Sequence, residues 1–384
     1  MIPPRTPRRR HLGWISAGAA LSACAAQEPF GSLFGAGGSF QAPPGGPATA
    51  VPPAPESPPA PEAEAPPEAP PEPPPAPAVI PPPAPVPVFY RPEYALAAHS
   101  FETTRKARWV HDSLVASGLG GLQLTVPEPI GDVALSAVHD RAYVNAVRTG
   151  QPRALAESQG FRWDPGLWSM VVASNGGIVA AALAARGSGV AGSLSSGLHH
   201  ARRARGNGYC TFNGLALAAR AALAFGARNV LILDLDAHCG GGTSEVLGAH
   251  PNVWIVDVAV HSFDRYVPLS HHTLDVVSVA RQYLPVLKAR LEGLASRAPA
   301  FDLCIYNAGM DPHQGCPIGG LPGIDGAVLQ DREATVFEWC RERGIPIAFS
   351  LAGGYIGPGL SQAGLTELHR LTLAAAAHAA RPRV

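Results

Sequence analysis

The sequence predicts one α/β domain, a mainly parallel β-sheet with helices on both faces, preceded by a disordered N-terminal region. Three observations lead there. Short, continuous apolar runs alternate with alanine-rich stretches of helical composition, the pattern of a sheet buried on both faces. Four of those runs end in glycine beside His, Asp or Tyr, as "GLHH", "DLDAHCGG", "NAGMDPHQG" and "LAGGY". The 41 prolines crowd into the stretch before the first such run. The chain of 384 residues is 46% hydrophobic, enough for a sizeable core. Its formal net charge of zero gives no electrostatic case for binding nucleic acid.

Residues 1–24 read as an export signal. Arg8, Arg9 and Arg10 form a basic start, and Leu12 to Ala23 is an apolar run too short to span a bilayer. The run closes on "LSAC", a small-residue stretch ending at Cys24 that looks like a bacterial lipobox, in which Cys24 would be lipidated. The arginine pair before Leu12 also resembles a twin-arginine signal for export of folded proteins. The expected location is the cell envelope, on the periplasmic side, with a lipid anchor on the outer membrane. A mis-assigned start codon is the competing reading, and it would leave the protein cytoplasmic.

Residues 25–87 read as a tether. Proline lacks the helix donor and clashes with the preceding turn, and the segment has few large apolar side chains. Extended polyproline II is the expectation, at about 3.1 Å per residue.

Residues 88–384 read as the folded domain. The strand candidates are 189–196, 229–236, 252–260, 302–309 and 346–354. Between them, "GGIVAAALAAR" and "NGLALAARAALAFG" have helical composition. In open sheets of this kind, ligands sit beyond the carboxyl ends of the strands. Four strand ends carrying His, Asp or Tyr therefore point to one common site.

"VLILDLDAHCGGGT" holds the densest chemistry. Side chains two apart on a strand face the same way, so Asp234, Asp236 and His238 are expected to project together. Buried carboxylates are costly unless they are paired or bind a cation. A divalent metal on Asp236, His238 and a third acid answers that cost, and Asp311 is the best third ligand. Three protein ligands leave a position open for water, the pattern of a catalytic site. Two carboxylates and an imidazole suit Zn²⁺ and also accept Fe²⁺ or Mn²⁺. His199 and His200 in tandem could shuttle protons. Tyr355, after two glycines, could hydrogen-bond a developing oxyanion. A second pair, His271 and His272, sits in a polar loop and reads as surface.

Assembled in this order, these segments resemble the histone deacetylase and acetylpolyamine amidohydrolase superfamily, which shares its fold with arginase. The likeness runs from Tyr90 to Leu371. "DLDAHCGGGT" resembles the family's Asp-x-Asp-x-His segment, and "GLHHARRARGNGYC" its paired-histidine loop. "YNAGMDPHQGCPIGGLPGIDGAVLQDREATVF" and "HSF" at His99 to Phe101 are similar to the class IV branch and its bacterial relatives. The resemblance implies a zinc-dependent amide hydrolase with Zn²⁺ on Asp236, His238 and Asp311. His199 and His200 would handle protons, and Tyr355 would bind the oxyanion. Tyr209 would line the acyl-lysine channel. Asp234 would orient His199 beside a K⁺ site. The implied substrate is a small acetylated amine or an acyl-lysine peptide.

Three departures from the family stand out. Gly241 replaces the Asp or Asn that supports the second histidine, which implies a His200 that is less basic or less well oriented. Cys239 and Cys316 stand where His or Gln, and Asp, are usual. In an exported protein these two cysteines could form a disulfide bracing the site; two separate buried thiols are the other reading. Cys210, Cys304 and Cys340 read as buried thiols. Two other functions compete. A binding protein without catalysis would fit the loss of the acid at 241. An arginase-like ureohydrolase would need further aspartates for a second metal, and Gly240 occupies one of their places.

Overall fold

The computed structural model describes residues 84–381 apart from 98, 100 and 270. The export signal, Cys24 and the tether up to residue 83 lie outside the described residues. The strands are β1 Val86–Phe89, β2 Leu122–Thr125, β3 Val190–Ser193, β4 Val230–Asp234, β5 Val253–Ala259, β6 His272–Val276, β7 Leu303–Gly309 and β8 Ile347–Ala352. The helices are α1 Lys106–Ser117, α2 Asp132–Ser136, α3 Arg141–Thr149, α4 Arg153–Ala156, α5 Pro165–Ser188, α6 Gly214–Ala224, α7 Gly241–Leu247, α8 Tyr283–Arg297, α9 Gly326–Glu342 and α10 Gln362–Ala379.

The eight strands form one sheet in the order β2-β1-β3-β8-β7-β4-β5-β6, and every pairing is parallel. The central strands are apolar on both sides because both sides are covered. Along β4, Leu231 and Leu233 join a core with Leu287, Phe337 and Leu368 from α8, α9 and α10. Val230 and Ile232 point the other way, into a core with Ile178, Leu215 and Val144 from α5, α6 and α3. Each fully buried Leu or Ile contributes about 1.5–3 kcal/mol relative to exposure. Helix α5 is long and apolar because it is a core helix: thirteen of its residues are buried. Its start is set by Pro165 and by Asp164, whose side chain accepts from Gly166 N–H.

Five strands lie where the apolar runs predict them, each trimmed at its ends. Three others were not anticipated. β1 begins at Val86, inside the stretch assigned to the tether, with Val86 and Val88 buried. Prolines alternate with valines there, and Pro87 occupies a strand without breaking it. β2 is a short, largely exposed edge strand. β6 is the opposite edge and begins at His272. The surface reading of the His271–His272 pair is corrected for His272, which is 4% exposed. Burial, with His271 beside it, lowers its pKa to about 4. An edge strand packs only part of its length on the core, so its sequence stays polar enough to pass for a loop.

Candidate active site

Because the sheet is parallel, the carboxyl ends of β3, β4, β7 and β8 open onto one rim, where Asp234, Asp236, His238, Asp311, His199 and His200 collect. β4 stops at Asp234, so the expected strand alternation through His238 is replaced by two different aims. Asp234 turns to the histidine loop. Its Oδ2 is 2.7 Å from His199 Nδ1, and its Oδ1 accepts from Asn307 Nδ2 on β7 at 2.8 Å. Ser350 on β8 donates to Asn307 Oδ1 at 3.1 Å, which ties three strand ends together. Asp236 and His238 leave the strand and meet Asp311 instead.

His238 Nδ1 lies 3.1 Å from Asp236 Oδ1 and 3.0 Å from Asp311 Oδ2. One ligand atom from each of these residues lies within 4.8 Å of the others, and all three residues are buried. Asp311 Oδ1 is fixed by Ala237 N–H at 3.0 Å. Burial opposes charge on the His238 ring, yet Asp236 and Asp311 outweigh it and raise its pKa to about 10. A place that attracts positive charge so strongly, lined by two carboxylates and an imidazole, fits a divalent cation.

The two histidines beside it are shifted in opposite directions. Burial alone would lower the His199 pKa, but Asp234 and Asp236 raise it to about 10. His200 is lowered to about 4 by burial and by the neighbouring His199. The rings face each other, Nε2 to Nε2, at 3.1 Å. Their loop is held by Asn213, the N-cap of α6, whose side chain donates to His199 O and Ala201 O and accepts from Ala216 N–H.

Tyr355 follows β8 and is half-buried. Burial and the negative charge of Asp311 and Asp236 push its phenol well above the usual tyrosine range, opposed by a hydrogen bond with Thr103. Its ring is 5.3 Å from that of Phe101. Phe101 lies 4.4 Å from Tyr209, and Phe161 lies 5.2 Å from Tyr209. Tyr209 is 42% exposed and Phe263 likewise, with Phe263 edge-on to His200 at 5.0 Å. Aromatic walls thus lead from solvent to the histidines.

The proposed disulfide is corrected: Cys239 and Cys316 are both free and buried. Their thiols point at different carbonyls, Cys239 at His261 O and Cys316 at Met310 O, each at 3.5 Å. Cys210, Cys304 and Cys340 are buried thiols, as anticipated. Three residues at the site escaped the sequence reading. Asp264 Oδ2 is 3.0 Å from His200 Nδ1, on the loop after β5. Lys106, buried in α1, donates to Gly353 O at 2.5 Å. Arg332, buried in α9, donates to Gly309 O at 2.6 Å and Leu235 O at 3.3 Å, behind Asp311 and Asp236.

Residues 99–371 match the family described as histone deacetylase domain. The chain belongs to the histone deacetylase family. This deacetylase-family chain is 31% identical over 278 residues to an uncharacterized protein of Picosynechococcus sp., covering 70% of this chain and 92% of that one. It is 30% identical over 293 residues to histone deacetylase 2 of Arabidopsis thaliana, covering 71% of this chain and 75% of that one. Among solved structures, the HDA15 HD domain superposes with a TM-score of 0.62 at 20% identity, over 74% of this chain and 89% of that one. An acetylpolyamine aminohydrolase from Burkholderia pseudomallei gives a TM-score of 0.62 at 19% identity, over 76% and 98%. At those identities the likeness is one of fold.

Proposed function

We propose that this deacetylase-family protein is a zinc-dependent hydrolase of acetyl-amide bonds, acting on an acyl-lysine or acetylpolyamine type of substrate. The observation that carries this reading is the convergence of Asp236, His238 and Asp311 beneath a pair of histidines with opposite proton affinities. Zn²⁺, or Fe²⁺ or Mn²⁺, held by those three residues would supply Lewis acidity toward an acyl carbonyl and a water.

The remaining steps belong to the chain's own groups. Tyr209, Phe101 and Phe161 would sheathe the methylene stem of a lysine or polyamine and keep water from the reacting centre. The His199–His200 pair, joined Nε2 to Nε2 at 3.1 Å, would take a proton from the attacking water and return it to the leaving amine. Asp234 would orient His199 and favour its charged form. The Tyr355 hydroxyl, protonated at all working pH values, would donate to the oxyanion.

The carboxylate that Asp264 presents to His200 supports hydrolysis over binding alone, because it supplies an acid despite Gly241. One metal-type triad is found among the described residues, which favours a one-metal site over an arginase-like pair. K⁺ beside Asp234 remains part of the proposal. So does lipidation at Cys24 with a location in the cell envelope, which rests on the "LSAC" segment; incorporation of labelled lipid, lost on Cys24→Ala, tests it.

The purified protein, assayed on acetyl-lysine peptides and acetylated polyamines with metal analysis alongside, should show turnover that chelation or Asp311→Ala abolishes. Stoichiometric bound metal with no turnover across an acyl panel would refute the hydrolase reading.

A further inference from the structure

Resting on the hydrolase reading, we propose that Asp264 is the positioning residue for His200, a carboxylate supplied from the loop after β5 and admitted by the glycine at 241.

Each histidine of the pair has its own carboxylate. For His199 it is Asp234, at 2.7 Å. For His200 it is Asp264, at 3.0 Å and also on Nδ1. The Asp264 side chain is 3% exposed. It is gripped from the other side by Arg202, whose Nη2 donates to Asp264 Oδ1. Arg202 Nη1 donates in turn to Glu245 Oε2 on α7 at 2.6 Å. The loop bends sharply to bring Asp264 inward, with its backbone in the left-handed region at φ 61°, where Asp is among the few tolerated side chains.

The glycine explains why the acid can come from there. A Cβ at Gly241 would overlap the Asp264 carbonyl and lie 2.8 Å from Asp264 Cγ. A side chain at 241 would collide with the backbone of residue 264 as well as with its carboxylate, so the glycine is what lets the loop lie close enough for Asp264 to reach His200.

The consequence is a tautomer. A carboxylate on Nδ1 keeps the ring proton there and leaves the Nε2 lone pair turned inward, toward His199 Nε2. The two carboxylates are not equivalent. Arg202 shares the charge of Asp264, whereas Asp234 Oδ1 takes a neutral amide from Asn307. Asp264 orients the His200 ring through Nδ1.

The experiment compares wild type, Asp264→Asn, Asp264→Ala and Gly241→Asp. Steady-state kinetics on an acetyl-lysine peptide should show kcat reduced about 10²-fold in Asp264→Ala with little change in KM, and a smaller loss in Asp264→Asn. Gly241→Asp, whose side chain would meet both the carbonyl and the carboxylate of Asp264, should be impaired. Ring ¹⁵N shifts of His200 should report a single Nδ1–H tautomer in wild type and a mixture in Asp264→Ala. Wild-type kcat in Asp264→Ala, an unchanged tautomer, or a loss confined to KM would overturn the proposal. A wild type with no amidohydrolase turnover would refute the hydrolase reading alone, because the ¹⁵N measurement still decides whether Asp264 sets the ring.

Discussion

Gly353 lies directly against the carboxylate of Asp311. A Cβ built on Gly353 would overlap Asp311 Oδ1 and Cγ, and its φ of +49° is one that L side chains rarely adopt. Lys106 holds the same residue from behind through its carbonyl, at 2.5 Å. Gly353→Ala should therefore displace Asp311 while the sheet stays formed. Metal affinity should fall about 10- to 100-fold, measured by titration with zinc against a competing chelator. Unchanged affinity would mean that the loop gives way and Asp311 does not.

Tyr355→Phe removes one hydroxyl and keeps the ring against Phe101. The expected outcome is a kcat lower by about 10²- to 10³-fold with KM nearly constant. Stopped assays over a range of substrate concentrations separate the two constants. A change confined to KM would make Tyr355 a wall of the channel and nothing more.

Arg332 and Glu333 form a fully buried ion pair at 2.6 Å, with Tyr306 donating to Glu333 at 2.8 Å. The guanidinium also closes over the carbonyls of Leu235 and Gly309, the residues that lead into Asp236 and Asp311. Arg332→Met would leave a buried carboxylate unpaired. A loss of about 3–5 kcal/mol in urea unfolding is expected, and Arg332→Met/Glu333→Gln should regain part of it.

His139 predicts a pH dependence of stability. Its Nδ1 donates to Arg202 O at 2.8 Å and its Nε2 accepts from Asn213 N–H at 2.9 Å. Burial lowers its pKa from 6.5 to about 4. The unfolded chain therefore binds the proton first on acidification. The contribution is complete above pH 6.5 and is lost as the pH falls toward 4, amounting to roughly 3 kcal/mol at the limit. His139→Asn should flatten that part of the stability–pH curve. A curve of unchanged slope would assign the acid sensitivity to other groups.

Cys239 and Cys316 should both react with an alkylating agent after unfolding without reductant. Intact mass spectrometry checks this directly, and a pair protected until reduction would contradict the free thiols seen here.

Much of this site could be read from the sequence because its candidate ligands are close in sequence to apolar strands. The run "VLILD" announces β4, and the polar residues after it announce the rim. Asp311 follows β7 in the same way. Asp264 gave no such signal. It sits in an irregular loop, and its partner Gly241 registers only as a missing acid until the fold brings the two together. Lys106 lies among polar residues of α1, where nothing distinguishes a buried lysine from a solvated one. Asp236 and His238 were found by a spacing argument for strands, although the chain has already left the strand there. The structure brings both side chains to Asp311, with a local geometry that is not that of a strand. β1 was hidden by its prolines and β6 by its edge position, where the hydrophobic pattern weakens.

All the strands run the same way, so the polypeptide enters β1 at the rim opposite the one that carries Tyr209 and Tyr355. Front and back of the molecule are thereby fixed by topology. Immobilising the protein through a linker joined at Ala84, on a bead or a sensor chip, should present the reactive mouth outward and leave diffusion of even a bulky peptide unobstructed. Coupling through a lysine or cysteine engineered beside Tyr209 should block it.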